Sequence, residues 1–327
     1  MRSSVGDVAW PARPLNWSRT VAREMVHRSS VAEVLLTDVR RDGADRFQAA
    51  ASWPRSHVTF PRDGADLHSP LVVVETLRQL GIYVPLRYFG VSPTAHLLIT
   101  DLYFTLEPGA EPRAESGCTD VTCRIAVSEV RRGAGGGATG MRLDVRYLAA
   151  GRTFARAGGG ARFLSESRYG ALRGDRLSAR LTGPPLDGAG RPDPGGLAVG
   201  GPRDVVIARE AGGPRDMAAA PGPGMWSVAP ADPLHPFFFD HATDHVPGMV
   251  LLEAARQAAS EASDGRLLRP TAGRLVAGRF TEFAPAARVE SVPHDMTCVF
   301  RIRQGGECTA YGVLGYPRHA TSHGVLA

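Results

Sequence analysis

The hydrophobic pattern along the 327 residues contains one apolar helical unit twice. Residues 71–79 carry Glu75, and residues 250–257 carry Glu253, within apolar runs that favour helix. In both runs an Arg follows the Glu by three residues and a Gln follows it by four, and a His precedes the Glu by 18 residues. The constant offset of 178 residues indicates a diverged duplication.

Segments typical of β-strands flank each predicted helix. A β-branched run precedes each unit, at 30–37 and 204–208, and a tryptophan near a proline follows each run. Strands are predicted after the helices at 98–107, 121–130 and 141–149 in the first half, and at 275–285, 295–303 and 308–315 in the second. Each half therefore consists of a strand, a long helix beginning near a proline (Pro70 or Pro247), and a run of strands.

One long helix followed by antiparallel strands is typical of a hot-dog domain, in which the sheet wraps the helix. Two copies predict an α+β tandem (double) hot-dog with one continuous sheet, because the second copy covers a strand edge that a single copy leaves open. Residues 182–196 contain four prolines and five glycines, which disfavours both helix and sheet. We expect an N-terminal domain at 1–181, a linker at 182–199 and a C-terminal domain at 200–327.

Composition excludes several classes of function. All 38 basic residues are arginine, so Schiff-base, pyridoxal-phosphate and P-loop chemistry lack their lysine. The net charge of +5 comes from scattered arginines, which gives no support for nucleic-acid binding but suits an acidic or phosphorylated ligand. The spacing of the four cysteines predicts free thiols and no metal site. No segment is long and apolar enough to span a membrane and no secretory signal is recognisable, so we expect a cytoplasmic protein.

The segment before the second helix, residues 244–249, carries the strongest chemical signal. Pro247 favours a helix start, and the following amides of Gly248 and Met249 lack intrahelical acceptors. Such amides can stabilise the oxyanion that forms from a thioester. The Pro-Gly pair and Glu253 resemble the Pro-Gly-x-x-x-x-Glu motif of β-hydroxyacyl-carrier-protein dehydratases. The histidine of that motif would fall near Phe239 here.

A wider set of segments resembles the A-factor synthase family of γ-butyrolactone biosynthesis in actinobacteria. These segments are residues 26–38, 53–57, 75–79, 88–91 and 235–248, and both repeats match in order. The resemblance implies an acyltransferase that moves a β-ketoacyl group from acyl carrier protein to the hydroxyl of dihydroxyacetone phosphate. It also implies that the phosphorylated ester then closes to a butenolide phosphate. Neither a cofactor nor a metal is expected.

Candidate site residues follow from this chemistry, in which His or Glu is the base and Arg holds the phosphate. The catalytic candidates are Glu75, His245, Glu253, His235 and His57. The substrate-binding candidates are Arg78, Gln79, Arg256, Gln257, Asp240, His241, Gly248 and Met249. Further candidates for the phosphate are Arg55 and Arg279, whereas His27 and His96 are expected to be structural or exposed.

Hot-dog sites form between two units, which predicts how these groups meet. We expect His235, Asp240, His241 and His245 to converge with Glu75, and His57 to converge with Glu253. The alternative for each Glu-x-x-Arg pair is an intrahelical ion pair without a catalytic role. The alternative functions are a hot-dog dehydratase or thioesterase that uses the same His and Glu, and a non-catalytic acyl-binding sensor.

Overall fold

The computed structural model describes residues 14–55, 57, 67–113, 118–178, 190–209, 226–241 and 243–317. Within these residues, twelve strands form one antiparallel sheet in the order β1-β2-β4-β5-β6-β3-β9-β12-β11-β10-β8-β7. The strands are β1 (Leu36–Arg41), β2 (Arg46–Pro54), β3 (His96–Leu106), β4 (Cys118–Arg132), β5 (Ala138–Ala149), β6 (Arg152–Leu164), β7 (Ile207–Arg209), β8 (Trp226–Val228), β9 (Ala272–Ala277), β10 (Arg288–His294), β11 (Thr297–Gln304) and β12 (Glu307–Gly315). The α-helices are α1 (Pro70–Tyr88), α2 (Glu166–Arg173) and α3 (Gly248–Glu261).

The two halves of the sheet join through β3 and β9, which place Leu102 opposite Leu275. Strands on either side of this junction wrap one long helix each: α1 contacts β5 and β6, and α3 contacts β10 and β11. The junction pairs a strand from each half, so neither half has a free edge there. The predicted double hot-dog with one continuous sheet is therefore confirmed.

Helix α1 begins at Pro70, where the Ser69 hydroxyl accepts a hydrogen bond from the Leu71 amide. Helix α3 begins at Gly248 directly after Pro247, as the prolines predicted. Both helices are buried on nearly all faces because the sheet surrounds them. Polar side chains inside this envelope therefore need partners from the protein.

The segment before each first strand also repeats, with an offset of 171 residues instead of 178. The 3-10 helix at Arg23–Val26 ends in His27 with a φ of 50°, and the one at Pro194–Leu197 ends in Ala198 with a φ of 49°. A second 3-10 turn follows in each copy, at Val31–Glu33 and Pro202–Asp204. The expected strand at 30–37 is thus mostly turn, with β1 starting at its end.

This second repeat corrects the predicted linker at 182–199. Residues 194–199 belong to the C-terminal unit, because Leu197 is fully buried and its carbonyl accepts a hydrogen bond from Arg256. Residues 179–189, which contain the first part of that predicted linker, lie outside the described residues. The predicted strand at 275–285 is also shorter than expected and ends with β9 at Ala277.

Candidate active site

Gln79 and Gln257 connect each long helix to the strand-forming segment beside it. Each carboxamide oxygen accepts a backbone N–H at 2.9 Å, and each Nε2 donates to a backbone carbonyl and to the Glu one turn earlier at 2.7–2.9 Å. Both side chains are fully buried. Both ends of each amide already bind the protein, so the geometry favours a positioning role for Gln79 and Gln257 over the predicted contact with substrate.

Glu253 of α3 is neutralised within its own unit. Arg256 donates to both carboxylate oxygens at 2.6 and 2.8 Å, and Gln257 adds a third hydrogen bond. The remaining Arg256 nitrogen, Nη1, donates to the carbonyls of Leu197 and Leu268. All three guanidinium nitrogens therefore bind protein atoms, which matches the ion-pair alternative for this helix and leaves Arg256 poorly suited to hold a phosphate.

Glu75 of α1 has the same intrahelical partner and a second guanidinium. Arg78 donates to the carboxylate at 2.8 and 3.1 Å, and Arg28 approaches it to 2.8 Å. Burial alone would raise the pKa of Glu75, but the charges and hydrogen bonds of Arg78, Arg28 and Gln79 lower it to about 2. A carboxylate this acidic is a weak proton acceptor at neutral pH, so the geometry disfavours Glu75 as general base.

A loop of the second unit closes over this part of the first unit. Arg28 donates to the Phe237 carbonyl at 2.7 Å and lies 4.8 Å from the centre of the Phe237 ring. The Ser29 amide donates to Asp240 at 2.9 Å, and Arg28 lies 3.8 Å from the same carboxylate oxygen. Asp240 thus reaches the Glu75 cluster, as expected, and His241 follows it along the chain. Arg28 was not among the candidates, and the corresponding place in the second unit holds Val199.

His235 fixes the shape of that loop. Its Nε2 lies 2.8 Å from Asp204, and its Nδ1 accepts the amides of Phe237 and Phe238 at 3.2 and 3.3 Å. The side chain is almost completely buried, and both ring nitrogens are used. The geometry therefore supports a positioning role for His235, which sets the Phe237 carbonyl against Arg28.

His57 lies on the Glu75 side of the molecule. Its Nε2 is 3.1 Å from Glu33, and the imidazole packs edge-on against the Phe237 ring at 5.8 Å. The same side chains line a narrow crevice that also reaches Glu75. The expected convergence of His57 with Glu253 is therefore wrong, because His57 lies in the crevice beside α1.

His245 forms a second polar centre with the aspartate that precedes it. Its Nδ1 lies 2.8 Å from Asp244, whose carboxylate also accepts hydrogen bonds from Tyr169 at 2.6 Å and from Arg173 at 2.8 Å. Burial alone would raise the pKa of Asp244, but these hydrogen bonds lower it to about 2. The pKa of His245 is lowered, mainly by burial, although the contact with Asp244 acts to raise it. At neutral pH an uncharged imidazole therefore faces an ionised carboxylate.

Arg173 joins this dyad to the rest of the fold. It donates two hydrogen bonds of 2.8 Å to Glu282 and one to the Asp244 carbonyl. Arg173 and Tyr169 lie on α2 of the first unit, whereas Asp244, His245 and Glu282 belong to the second. No contact joins His245 to Glu75 among the described residues, so the expected convergence holds for Asp240 and not for His245.

The start of α3 adjoins the dyad. Pro247 is the N-cap and provides no side-chain cap, and its carbonyl accepts the amides of Val250 and Leu251. Within the described part of the chain, no acceptor binds the Gly248 or Met249 amide. Helix-start amides without acceptors carry a partial positive charge that suits a developing oxyanion. The predicted oxyanion position therefore lies within four residues of His245.

Of the two reserve candidates for the phosphate, Arg279 forms an exposed ion pair with Glu307 at 3.7 Å and joins neither centre. Arg55 is exposed at the end of β2. Within the described residues, no group of three or more His, Cys, Asp or Glu side chains has a geometry that could hold a metal ion.

Comparison with known proteins gives the family. The model of the A-factor biosynthesis hotdog domain matches residues 11–165 and 204–273, which is more than half of the chain. The chain belongs to the A-factor biosynthesis family. A family member from Streptomyces virginiae, named 2-oxo-3-(phosphooxy)propyl 3-oxoalkanoate synthase, is 36% identical over 280 residues, which cover 84% of this chain and 87% of the relative. A synthase of the same name from Streptomyces griseus is 31% identical over 313 residues, 91% of this chain and 96% of the relative.

Among solved structures, the 12:0-ACP thioesterase from Umbellularia californica aligns with a TM-score of 0.46 at 12% identity, covering 83% of this chain and 97% of that one. Among the described residues of this family member, no helix has the length and apolar character needed to cross a membrane.

Proposed function

We propose that the protein transfers a 3-oxoalkanoyl group from an acyl carrier protein thioester to the hydroxyl of dihydroxyacetone phosphate. The names of its Streptomyces relatives describe the product of this reaction, an ester of a 3-oxo acid with that phosphorylated alcohol. We propose that the reaction takes place in the cytoplasm. The observation that carries the proposal is the His245–Asp244 dyad beside the open amides of α3.

The dyad supplies the base that an alcohol needs to attack a thioester. Asp244 accepts the Nδ1 proton of His245, which leaves the Nε2 lone pair to take the proton of the acceptor hydroxyl. The hydroxyl oxygen forms a bond to the thioester carbon, and the resulting oxyanion is stabilised by the Gly248 and Met249 amides. When the intermediate collapses, the C–S bond breaks and the departing thiolate receives the proton from His245.

Three of the other predicted catalytic residues, Glu75, His235 and Glu253, hold neighbouring protein groups in place. Glu75 holds Arg28 and Arg78 by ion pairs, and His235 holds the loop that ends in Asp240. Glu253 neutralises Arg256 within the second unit. We propose that these three are positioning residues, and that His57, which binds Glu33 and packs against the Phe237 ring, helps to position the same loop.

Product analysis tests this function. The purified protein is mixed with a 3-oxoacyl carrier protein and dihydroxyacetone phosphate, and the products are identified by mass spectrometry against parallel reactions with glycerol 3-phosphate or no acceptor. We expect the phosphorylated ester, or a cyclised product derived from it, only with dihydroxyacetone phosphate. Free acid at the same rate in every reaction would show a thioesterase. Enoyl product from a 3-hydroxyacyl carrier protein would show a dehydratase, and binding without turnover would show a sensor.

A further inference from the structure

Arg78 differs from its counterpart Arg256 in having an open nitrogen. Its Nε and Nη2 bind Glu75, and Nη2 also donates to the Val26 carbonyl at 3.3 Å. In the described part of the chain no acceptor binds Nη1, and the side chain keeps 14% of its surface exposed. The Val26 contact places the guanidinium beside the next residue, His27. The first unit therefore presents a cation at a place where the second unit presents none.

His27 stands at a backbone position that the fold imposes on both units. Its φ of 50° is matched by 49° at Ala198, so the left-handed conformation does not depend on the histidine. The side chain is half-buried, and burial together with the charge of Arg78 and the neighbouring His96 lowers its pKa. His96 stacks on Tyr169 with ring centres 3.7 Å apart, and Tyr169 binds Asp244. His27 therefore lies within electrostatic range of His96, whose ring packs on the Tyr169 that binds Asp244.

His241 of the second unit lies within electrostatic range of the same guanidinium. The preceding residue, Asp240, is bound by the Ser29 amide and lies beside Arg28, which holds His241 next to the segment that carries His27. His241 itself is exposed. The protein groups around the imidazole partly desolvate it, and this desolvation together with the charges of Arg78 and Arg28 lowers the pKa of His241. Glu75 and Asp240 balance the charges of Arg28 and Arg78, so neither carboxylate is available to neutralise a protonated imidazole.

We propose that Arg78, His27 and His241 form a binding site for a phosphate ester. A guanidinium and two imidazoles from three separate segments can donate hydrogen bonds to three phosphate oxygens. The bound phosphate would supply the negative charge that lets both imidazoles protonate. The second unit has Ala198 in place of His27, and its Arg256 is fully bound, so the described residues of that unit do not repeat the site.

This inference rests on the proposed function, which provides two phosphate esters. One is the phosphate of the acceptor, and the other is the phosphate of the phosphopantetheine arm that carries the acyl group. Their shared chemistry is a phosphate ester anion on a substrate of the acyl transfer. Kinetics can distinguish the two esters, because a donor can be made that keeps the acyl thioester but lacks the phosphopantetheine phosphate. Only a site that binds the donor phosphate will respond to that change.

Calorimetric titration with inorganic phosphate tests the site in the absence of turnover. We expect one phosphate per chain, with the affinity lowered about tenfold or more in His27→Ala and in His241→Ala, and lowered further in the double variant. The matched control is His294→Ala, an exposed histidine on β10, which leaves the affinity unchanged. Arg78→Met also removes a partner of buried Glu75, so the histidine variants carry the test. No binding by the wild type, or equal affinity in all variants, overturns the proposal.

Steady-state kinetics then identifies the bound ester. A KM for dihydroxyacetone phosphate that rises in the histidine variants assigns the site to the acceptor. A KM that rises for a phosphopantetheine thioester but not for an N-acetylcysteamine thioester assigns it to the donor. If neither KM changes, the site does not serve the reaction and the proposal fails in this role. Phosphate binding that depends on both histidines in a protein without transferase activity would keep the anion site and reject the proposed function.

Discussion

Replacing Glu75 by Gln tests how strongly the buried network at the unit boundary stabilises the fold. Glutamine keeps the shape and the contact with Gln79 but leaves Arg28 and Arg78 buried without a negative charge. A pKa lowered from 4.5 to about 2 corresponds to about 3 kcal/mol at roughly 1.4 kcal/mol per unit. Removing one partner of a buried ion pair costs about 3–5 kcal/mol. We therefore expect Glu75→Gln to lower the free energy of unfolding at pH 7 by about 3 kcal/mol.

The pH dependence gives the sign of the effect. Because folding lowers the pKa of Glu75, its contribution is complete above the unfolded value of 4.5 and is lost as the pH falls towards about 2. Urea unfolding followed by tryptophan fluorescence should show a difference between wild type and variant that is constant from pH 7 to 5.5 and shrinks between pH 5 and 3. The control is Glu307→Gln, which removes an exposed ion pair and should leave the urea midpoint unchanged. A difference below about 1 kcal/mol at pH 7, or one that is as large at pH 3 as at pH 7, would refute the reasoning.

Three further predictions concern the scaffold. Gly81→Ala, at an interior position of α1 where an added Cβ meets nothing within 4 Å, should raise the free energy of unfolding by about 0.5–1 kcal/mol; an unchanged urea midpoint would contradict this. Gly312→Ala should lower the thermal midpoint, because its Cβ would overlap the Arg274 carbonyl on β9; a midpoint equal to wild type would show that the strands separate freely. Exposed Cys118 should react with a thiol reagent in the native protein, whereas Cys123, buried and with its pKa raised by that burial, should react only after unfolding; equal rates would contradict the fold.

The duplicated architecture was predictable because its signals are local. The Glu-x-x-Arg-Gln spacing and the prolines before each helix gave both long helices. Strand β6 was not predicted, and it contains three consecutive glycines at 158–160. The close approach of β3 explains why glycine is needed in this strand, since a Cβ at Gly159 would overlap the Asp101 carbonyl on β3. A sequence alone does not show how closely two strands approach.

The candidate site was predictable where chemistry and motif coincide, and unpredictable where partners are distant in sequence. His245, Gly248 and Met249 lie in one motif, and Asp244, directly before His245, could have been selected from that adjacency. Arg173 lies 71 residues before Asp244 and has no motif of its own. Chemical type alone does not separate the roles of Gln79: its amide could bind a substrate or the backbone, and its complete burial favours the backbone.

The linker shows a third limit of local reasoning. Glycine and proline at 194–196 favour a loop, yet they build a 3-10 turn that packs beneath Arg256. The equivalent turn at Arg23–Val26 contains neither glycine nor proline, so the two copies share a backbone without sharing a composition. Their equivalence becomes visible through the hydrogen bonds that Arg78 and Arg256 make to the same carbonyl position.

The most direct test of the His245–Asp244 centre is the acyl-transfer rate of His245→Ala at saturating substrates, measured with His294→Ala as the matched control and with urea unfolding to confirm the fold. Loss of the general base should lower kcat by about a hundredfold to ten-thousandfold, while His294→Ala keeps the wild-type rate. A folded His245→Ala protein with kcat within about threefold of wild type would contradict the account, because no general base would then be needed at this position.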